Sequence, residues 1–281
     1  MTLPYFPLDA GDYAISMGLQ ALKEQNWLDI GDNYDTEMEI KRSLLADHRD
    51  TVFATTPPAK DAETKILQLV RGNLQKNHPE IDLSRLSADE NALVKAASMV
   101  QEDLVLMQRS GDDFILGAAV VCFPSGWNLV DKVGKNMREI HIPVPGLNQK
   151  IGTSIDRFFQ HLKPGKNVQR FNWGLFDDEA LFQPKWHRAA QPAKTDISAD
   201  TIAEQLFFRV EKQTLQRLPG TDDTLFTIRI FNTPLAEVIA DGDRARKLHH
   251  ALTSMPDALR HYKAVAKYEE LLFEILKQAA R

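Results

Sequence analysis

The feature that most constrains the fold is a pair of strand-like runs, Leu206–Leu218 and Thr224–Phe231, which are joined by the turn residues PGTDD. Pro, Gly and Asp at this point favour a tight turn, so the two runs predict a β-hairpin. Two further runs have strand length: Phe114–Phe123, between GDD and PSG, and Gln169–Phe176. Because a hairpin joins antiparallel neighbours, the sequence predicts an antiparallel sheet.

Helical patterns occur before, between and after these strands. They cover Asp12–Lys23, Thr36–Ala46, Ala59–Asn77, Ala88–Arg109, Trp127–His141, Ile151–Leu162 and a tail from Pro234 to Arg281 with a break near Ser254–Pro256. Elements mixed in this order predict an α+β fold. The order is compatible with a PAS-like sheet that cups a ligand between the sheet and its inserted helices, and periodicity alone also fits other α+β topologies.

We expect residues 1–281 to form one domain, because this length suffices for a single large core. Within it, residues 1–110 are expected to form a mainly helical extension, residues 111–233 the sheet-containing core, and residues 234–281 a helical tail. Residues 183–198 contain two prolines and no clear period, so they predict a long loop.

Charge and hydropathy exclude several classes of partner. The chain has 34 basic and 39 acidic residues, a net charge of −5, so no overall attraction to nucleic acid or to an anionic membrane is expected. No run of about 18 apolar residues occurs, and the first residues lack the pattern of a secretion signal. The single cysteine, Cys122, lies in an apolar run and is expected to be a buried thiol, which fits a cytoplasmic location.

The segment WNLVDKVGKNMREIHIPVPG, Trp127–Gly146, predicts a helix that ends at a histidine. Gly134, Met137 and His141 fall on one helical face, and Pro143 stops the helix. A glycine in such a face permits close approach of a flat partner such as a porphyrin, with Gly134 and Met137 against it and His141 as the axial ligand. Alternatively, Gly134 packs beneath a strand and His141 interacts with the negative end of the helix dipole.

One face of the predicted hairpin is polar. By the two-residue alternation of strands, its members are Arg209, Glu211, Gln213, Leu215 and Arg217. If Leu218 pairs with Thr224, Gln213 lies opposite Arg229, with Glu211 on the diagonal. Two interpretations remain open: the solvated side of a sheet, or a pocket wall in which an arginine and a carboxylate hold a small ligand.

The strand QRFNWGLF also has a polar side. Arg170, Asn172 and Gly174 share it, and the glycine leaves space that serves either a ligand or a neighbouring side chain. The sequence contains no phosphate loop, no GxGxxG, no HExxH and no GxSxG motif, and its histidines lack clustered metal-ligand spacing. The sequence therefore does not support the enzyme classes that these motifs mark.

Five segments between residue 5 and about residue 235 carry a family resemblance. In chain order they are YFPLDAGDYAISMGLQAL, VQEDLVLM, VVCFPSGWNLVDKVGKNMREIHIPVPG, QRFNWGLF and LFFRVEKQTLQRLPGTDDTLFTIRIFNTPL. The most specific strings are IHxPVP and RVExQTLxRLP. With these segments the chain resembles the haem-dependent oxidative N-demethylase family, in the form of its PAS-fold alpha subunit.

The resemblance implies a cofactor, a reaction and a set of site residues. It implies haem b in a PAS scaffold, and dioxygen used to remove a methyl group from a small secondary amine such as dimethylamine, with release of formaldehyde. Electrons would come from a separate flavin and iron–sulfur reductase, because this chain has no such motif of its own. By motif, His141 would ligate the iron, Arg170 would lie beside the oxygen site and Glu211 would bind the amine, a cation near neutral pH.

Two other functions are compatible with the sequence. A haem-binding PAS-like module can sense a gas or the redox state without catalysis. A PAS-like domain that lacks haem would instead bind another small molecule or a protein. The ultraviolet–visible spectrum of the purified protein, with and without added haemin, separates these alternatives.

Overall fold

The computed structural model describes residues 3–22, 27–83, 91–185 and 193–281, and its mixed helix and strand content confirms the expected class. The strands are β1 (Gln20–Ala21), β2 (Phe53–Thr55), β3 (Asp103–Ser110), β4 (Asp113–Val120), β5 (Val168–Phe176), β6 (Phe207–Arg217) and β7 (Thr224–Pro234). They form one antiparallel sheet in the order β1-β5-β6-β7-β3-β4-β2.

Helices precede, interrupt and follow the central strands. They are α1 (Tyr34–Asp47), α2 (Arg49–Val52), α3 (Lys60–Asn77), α4 (Ala92–Ala97), α5 (Met137–Ile140), α6 (Leu147–His161), α7 (Ile202–Gln205), α8 (Leu235–Ile239), α9 (Gly242–Thr253), α10 (Asp257–Tyr262) and α11 (Glu269–Ala279). The described residues also contain 3₁₀ segments at Pro57–Ala59, Leu129–Asp131 and Val265–Tyr268. Among the described residues, no helix is both long and apolar enough to cross a bilayer.

Most of the predicted elements are present. The hairpin is β6–β7, and the two other predicted strands are β4 and β5. The helices expected at residues 36–46, 59–77 and 151–162 correspond to α1, α3 and α6, and the tail is helical with the predicted break between α9 and α10. The loop predicted at residues 183–198 lies partly outside the described residues.

Two helices predicted in the first hundred residues are wrong. Residues 12–19 contain no helix and lead into β1, while Lys23 lies outside the described residues. The segment Ala88–Arg109 is helical only in α4, and its second half is β3, which is placed within the sheet rather than in a helical extension. Residues 88–90 of that prediction lie outside the described part.

The strand β3 escaped prediction because it is buried on both faces. Leu104 and Leu106 are 0% exposed on one face, and Val105 and Met107 are each 2% exposed on the other. Such a strand has a continuous apolar run in place of polar alternation, and that run is indistinguishable from a buried helix by period alone.

The helix predicted over Trp127–His141 is also wrong. Gly134 has a φ of +79°, which interrupts a right-handed helix and which glycine adopts readily. Its N–H donates to the Leu116 carbonyl of β4 at 2.9 Å, so this backbone pairs with the sheet instead of with itself. Asn136 then begins the short helix α5, with its side chain accepting from the third N–H of the new helix.

The two faces of the sheet have different partners. On the back face, α3 contributes Ile66, Val70 and Leu74 to the same apolar core as Leu104 and Leu106. Complete burial of such side chains stabilises the fold by about 1.5–3 kcal/mol each. The helices α9 and α11 form a second core with β5 and β6. The front face packs against α6 and leaves a large cavity beside it.

Candidate functional site

A cavity of about 1290 Å³ lies on the front face of the sheet, between α5, α6 and the N-terminal segment 5–20. Its apolar lining includes Val105, Met107, Leu116, Ile151, Ile155, Phe159, Leu215, Phe226 and Ile228. Its polar lining includes His141, Arg170, Asn172, Glu211 and Gln213. The volume exceeds the roughly 300–1,000 Å³ that is usual for a small-molecule site, so a porphyrin-sized disc and a small second ligand fit the same space.

The polar face of β6 is buried, so the solvated interpretation of that face is wrong. Glu211 and Gln213 are 8% and 7% exposed, and Arg209 is 1% exposed. The guanidinium of Arg209 donates mainly to main-chain carbonyl groups and therefore serves the fold. Arg209, Glu211 and Gln213 all line the cavity.

Glu211 is held by amides. Gln213 Nε2 donates to Glu211 Oε2 at 2.7 Å, and Asn172 Nδ2 donates to the same oxygen at 3.3 Å across the β5–β6 pairing. Within the described part of the chain, no basic side chain lies within ion-pair distance of this carboxylate. A buried carboxylate with this environment favours a cationic partner supplied from outside the chain.

Arg170 lies beside this carboxylate on the neighbouring strand. Its Nη1 donates to Gln213 Oε1 at 3.1 Å, so one glutamine bridges Arg170 and Glu211. Burial lowers the pKa of Arg170, and the charge of Glu211 opposes that change. Arg170 Nε is buried with no hydrogen-bond partner among the described residues. This unpartnered N–H provides a donor for an oxygen atom of a ligand in the cavity.

His141 follows the last turn of α5 and lines the same cavity. Its Nδ1 lies 2.8 Å from the Met137 carbonyl oxygen, which can only accept, so Nδ1 carries the proton and Nε2 carries the lone pair. Burial lowers the pKa of His141 to about 4, and the charges of Lys132 and Arg170 act in the same direction. The imidazole is therefore neutral at pH 7, and the lone pair of its Nε2 is available to a metal ion.

Two glycines that the sequence singled out have different environments. Gly174 lines the cavity, and an added Cβ there would lie 3.0 Å from the Phe176 ring, so the position serves side-chain packing as well as open space. Gly134 is not among the residues described at the cavity, and its positive φ accounts for the glycine. Met137 does line the cavity.

The hairpin register differs from the expected one by one residue. Leu218 N–H bonds to the Asp223 carbonyl at 2.9 Å, and the ladder continues with Arg217 opposite Thr224. Arg229 is consequently opposite Lys212, on the back face, and the expectation that it faces Gln213 is wrong. There it forms a 2.7 Å ion pair with Glu37 of α1.

Lys263 is a cavity residue that carried no sequence signal. Lys263 follows α10 in the C-terminal tail, and its Nζ donates to the Trp173 carbonyl and, at 3.4 Å, to Asn172 Oδ1. The tail prediction identified helices but gave no indication that one of their ends reaches β5. Lys263 orients the Asn172 amide so that its Nδ2 faces Glu211.

The residues present fit a porphyrin better than a bare metal ion. Among the described residues, no group of three or more His, Cys, Asp and Glu side chains is arranged to hold a metal. The site instead combines the imidazole of His141, which has an available Nε2, with an apolar lining and a buried arginine N–H that has no partner in the described part of the chain. Haem requires only axial ligation from the protein, because the porphyrin supplies the other iron ligands.

A protein-family model matches most of the chain. The sequence model described as "Haem-dependent oxidative N-demethylase, alpha subunit-like" matches residues 18–82 and 80–273. The matched residues include every strand of the sheet and all polar side chains of the cavity described above.

Proposed function

The chain belongs to the haem-dependent oxidative N-demethylase, alpha subunit-like family, and from this premise we propose that it binds haem b in the front-face cavity and demethylates a small secondary amine. The observation that carries the proposal is the presence, in one cavity, of a neutral His141 and a buried Glu211 held only by amides. The first group suits an iron ligand and the second suits an amine cation.

The reaction needs electrons from another protein. Dimethylamine, dioxygen, two protons and two electrons give methylamine, formaldehyde and water. The sequence contains no flavin or iron–sulfur motif, so a separate reductase carrying these groups is the proposed donor. The alpha-subunit designation of the family supports an assembly of several subunits.

Haem, when bound, would activate dioxygen. His141 would hold the haem through Nε2. Glu211 would bind the protonated amine through the oxygen that is free of the two amide bonds, and would accept its proton before the methyl group is oxidised. Arg170 would donate its unpartnered Nε–H to oxygen, where it stabilises developing negative charge. The apolar lining along the sheet and α6 would reduce contact between water and the parts of both ligands that lie against it.

We also assign the central sheet to the PAS-like class. Two strands, β3 and β4, precede the inserted helices α5 and α6, and three strands follow them. All five lie together as β5-β6-β7-β3-β4 and enclose the cavity with the inserted helices. This arrangement supports a sheet that cups its ligand.

The test is Glu211→Gln, compared with Glu204→Gln, an exposed glutamate of α7. Glu211→Gln should retain haem, because His141 is unchanged, and should reduce formaldehyde release from dimethylamine on the order of a thousandfold, since a desolvated charge partner is lost. In Glu211→Gln, the haem spectrum should also no longer change when dimethylamine is added. A wild-type protein that binds haem and gives neither response nor formaldehyde would favour a haem-based sensor.

A further inference from the structure

Three lysines surround the His141 end of the cavity. Lys132, Lys135 and Lys185 all line it. The first two belong to the turn before α5, and the third comes from a segment about fifty residues later in the chain. Lys185 is held beside that turn because its N–H donates to Asn128 Oδ1 at 3.0 Å. The fold therefore brings together cations that are distant in sequence.

The charges of these lysines act on one another. The pKa of Lys132 is lowered, first by its burial and then by the charges of Lys135 and Lys185, while Asp131 raises it. Lys132 Nζ also donates to the Ile140 carbonyl at 2.9 Å, which fixes the ammonium next to His141. Positive charges that lie close together beside an apolar cavity repel one another. An anion bound between them offsets this electrostatic repulsion.

Two acidic side chains also line this end of the cavity, and each already accepts a hydrogen bond. Asp131 Oδ2 accepts from Asn128 at 3.2 Å, and Glu139 Oε2 accepts from the Asn136 N–H at 2.9 Å in the cap of α5. Set against these two carboxylates, the three lysines leave one positive charge in excess at this end of the cavity among these described side chains.

We propose that Lys132, Lys135 and Lys185 bind the paired propionate carboxylates of the porphyrin. The inference rests on the proposed function, because haem b is a largely apolar disc with both of its carboxylates on one edge. The cavity matches that division: an apolar lining lies along the sheet and α6, and a cationic rim lies at the His141 end. Lys135 and Lys185 are exposed, so the carboxylate edge would remain hydrated while the disc is buried.

The test compares haemin with haemin dimethyl ester, in which both carboxylates are neutral. Binding is followed by the Soret band for the wild type, for Lys135→Glu/Lys185→Glu, and for Lys150→Glu/Lys166→Glu, which makes the same charge change at exposed lysines away from the cavity. The rim variant should bind haemin at least about tenfold more weakly, equivalent to about 1.4 kcal/mol, and should bind the ester with unchanged affinity. The control variant should bind both as the wild type does.

A second measurement needs no variant. For the wild type, haemin affinity should fall as salt rises from about 0.01 to 1 M, because exposed charges are screened, while ester affinity should not. If Lys135→Glu/Lys185→Glu loses the same affinity for haemin and for the ester, or loses none for haemin, these lysines do not bind the propionates. That result would leave the proposed function standing. Failure of the wild type to bind either porphyrin would overturn both.

Discussion

Gln213 donates a 2.7 Å hydrogen bond from Nε2 to Oε2 of Glu211, and both side chains extend from the same face of β6. The other end of the same amide accepts from Arg170 Nη1 at 3.1 Å. The glutamine thus sets the distance between a carboxylate and a guanidinium without allowing them to form an ion pair. Each charge remains available to a ligand, the carboxylate to a cation and the guanidinium to an oxygen atom.

Replacement of Gln213 should therefore affect the amine more than the haem. Gln213→Leu removes a hydrogen bond to each charged group, and such bonds contribute about 1.5–3 kcal/mol, so amine affinity should fall by about tenfold or more. Haem affinity should be unchanged. Titration of the haem spectrum with dimethylamine measures both. Gln216→Leu is the matched control, since Gln216 is a buried glutamine of β6 on the opposite face. An equal loss in both variants would contradict a positioning role for Gln213.

The histidine assignment has an internal control. His141 and His161 both follow or end a helix and both contact the carbonyl oxygen four residues earlier through Nδ1, at 2.8 and 2.7 Å. Only His141 lines the cavity, and His161 is exposed. His141→Ala should lower haemin affinity by at least about tenfold and shift the Soret band, because an iron ligand is lost. His161→Ala should do neither. Added imidazole should restore the wild-type Soret band in His141→Ala. If His141→Ala leaves the Soret band unchanged, His141 does not ligate the haem iron.

The sequence predicts which polar residues share one face of a strand. It does not predict which residues of neighbouring strands lie opposite one another. Alternation of two residues placed Glu211 with Gln213, and Arg170 with Asn172, without any tertiary information. Alternation does not specify which residue pair closes a hairpin, so it does not determine the face of Arg229, which depends on the pairing of Leu218 with Asp223.

The helical misassignment has a different physical cause. The apolar residues on both sides of Gly134 have a helical period, yet the Gly134 N–H donates to the Leu116 carbonyl of β4. Periodicity depends only on residues that are close in sequence, so it does not indicate such a contact. A glycine at positive φ also does not change the pattern of apolar residues. The contact between Lys263 and Asn172 is equally non-local, and it was missed for the same reason.

Lys41 should be important for stability. Its side chain is fully buried, its Nζ donates to the Val100 and Glu102 carbonyls at 2.9 and 2.6 Å, and it lies 3.9 Å from the Asp103 carboxylate. Lys41→Met leaves these acceptors without their cation in a dry interior, so unfolding free energy should fall by about 3–5 kcal/mol in urea titrations. The exposed Lys60→Met should stay within about 0.5 kcal/mol of the wild type. A Lys41→Met protein as stable as that control would show that the buried charge is not needed.

Glu102 should make stability fall as pH rises. Its carboxyl is buried, Oε1 accepts from the Asp29 N–H at 2.6 Å, and Oε2 has no partner among the described residues. Burial raises its pKa from 4.5 to about 7, with the charge of Arg229 opposing the change. Between these values the folded state holds a proton that the unfolded state has released, so stability declines with rising pH by up to about 1.4 kcal/mol per pH unit. The decline ends once the pH exceeds the folded-state pKa.

Measurement of this effect requires a difference between two proteins, because burial also raises the pKa of Asp103, to about 6, and this adds a decline of the same sign. Glu102→Gln keeps an acceptor for the Asp29 N–H and cannot titrate. Unfolding free energies from urea titrations at pH 5 and pH 8 should show that the wild type loses about 2–3 kcal/mol more than Glu102→Gln over this interval. Equal losses in the two proteins would mean that Glu102 is ionised in the folded state across this interval, so that its folded-state pKa is not raised.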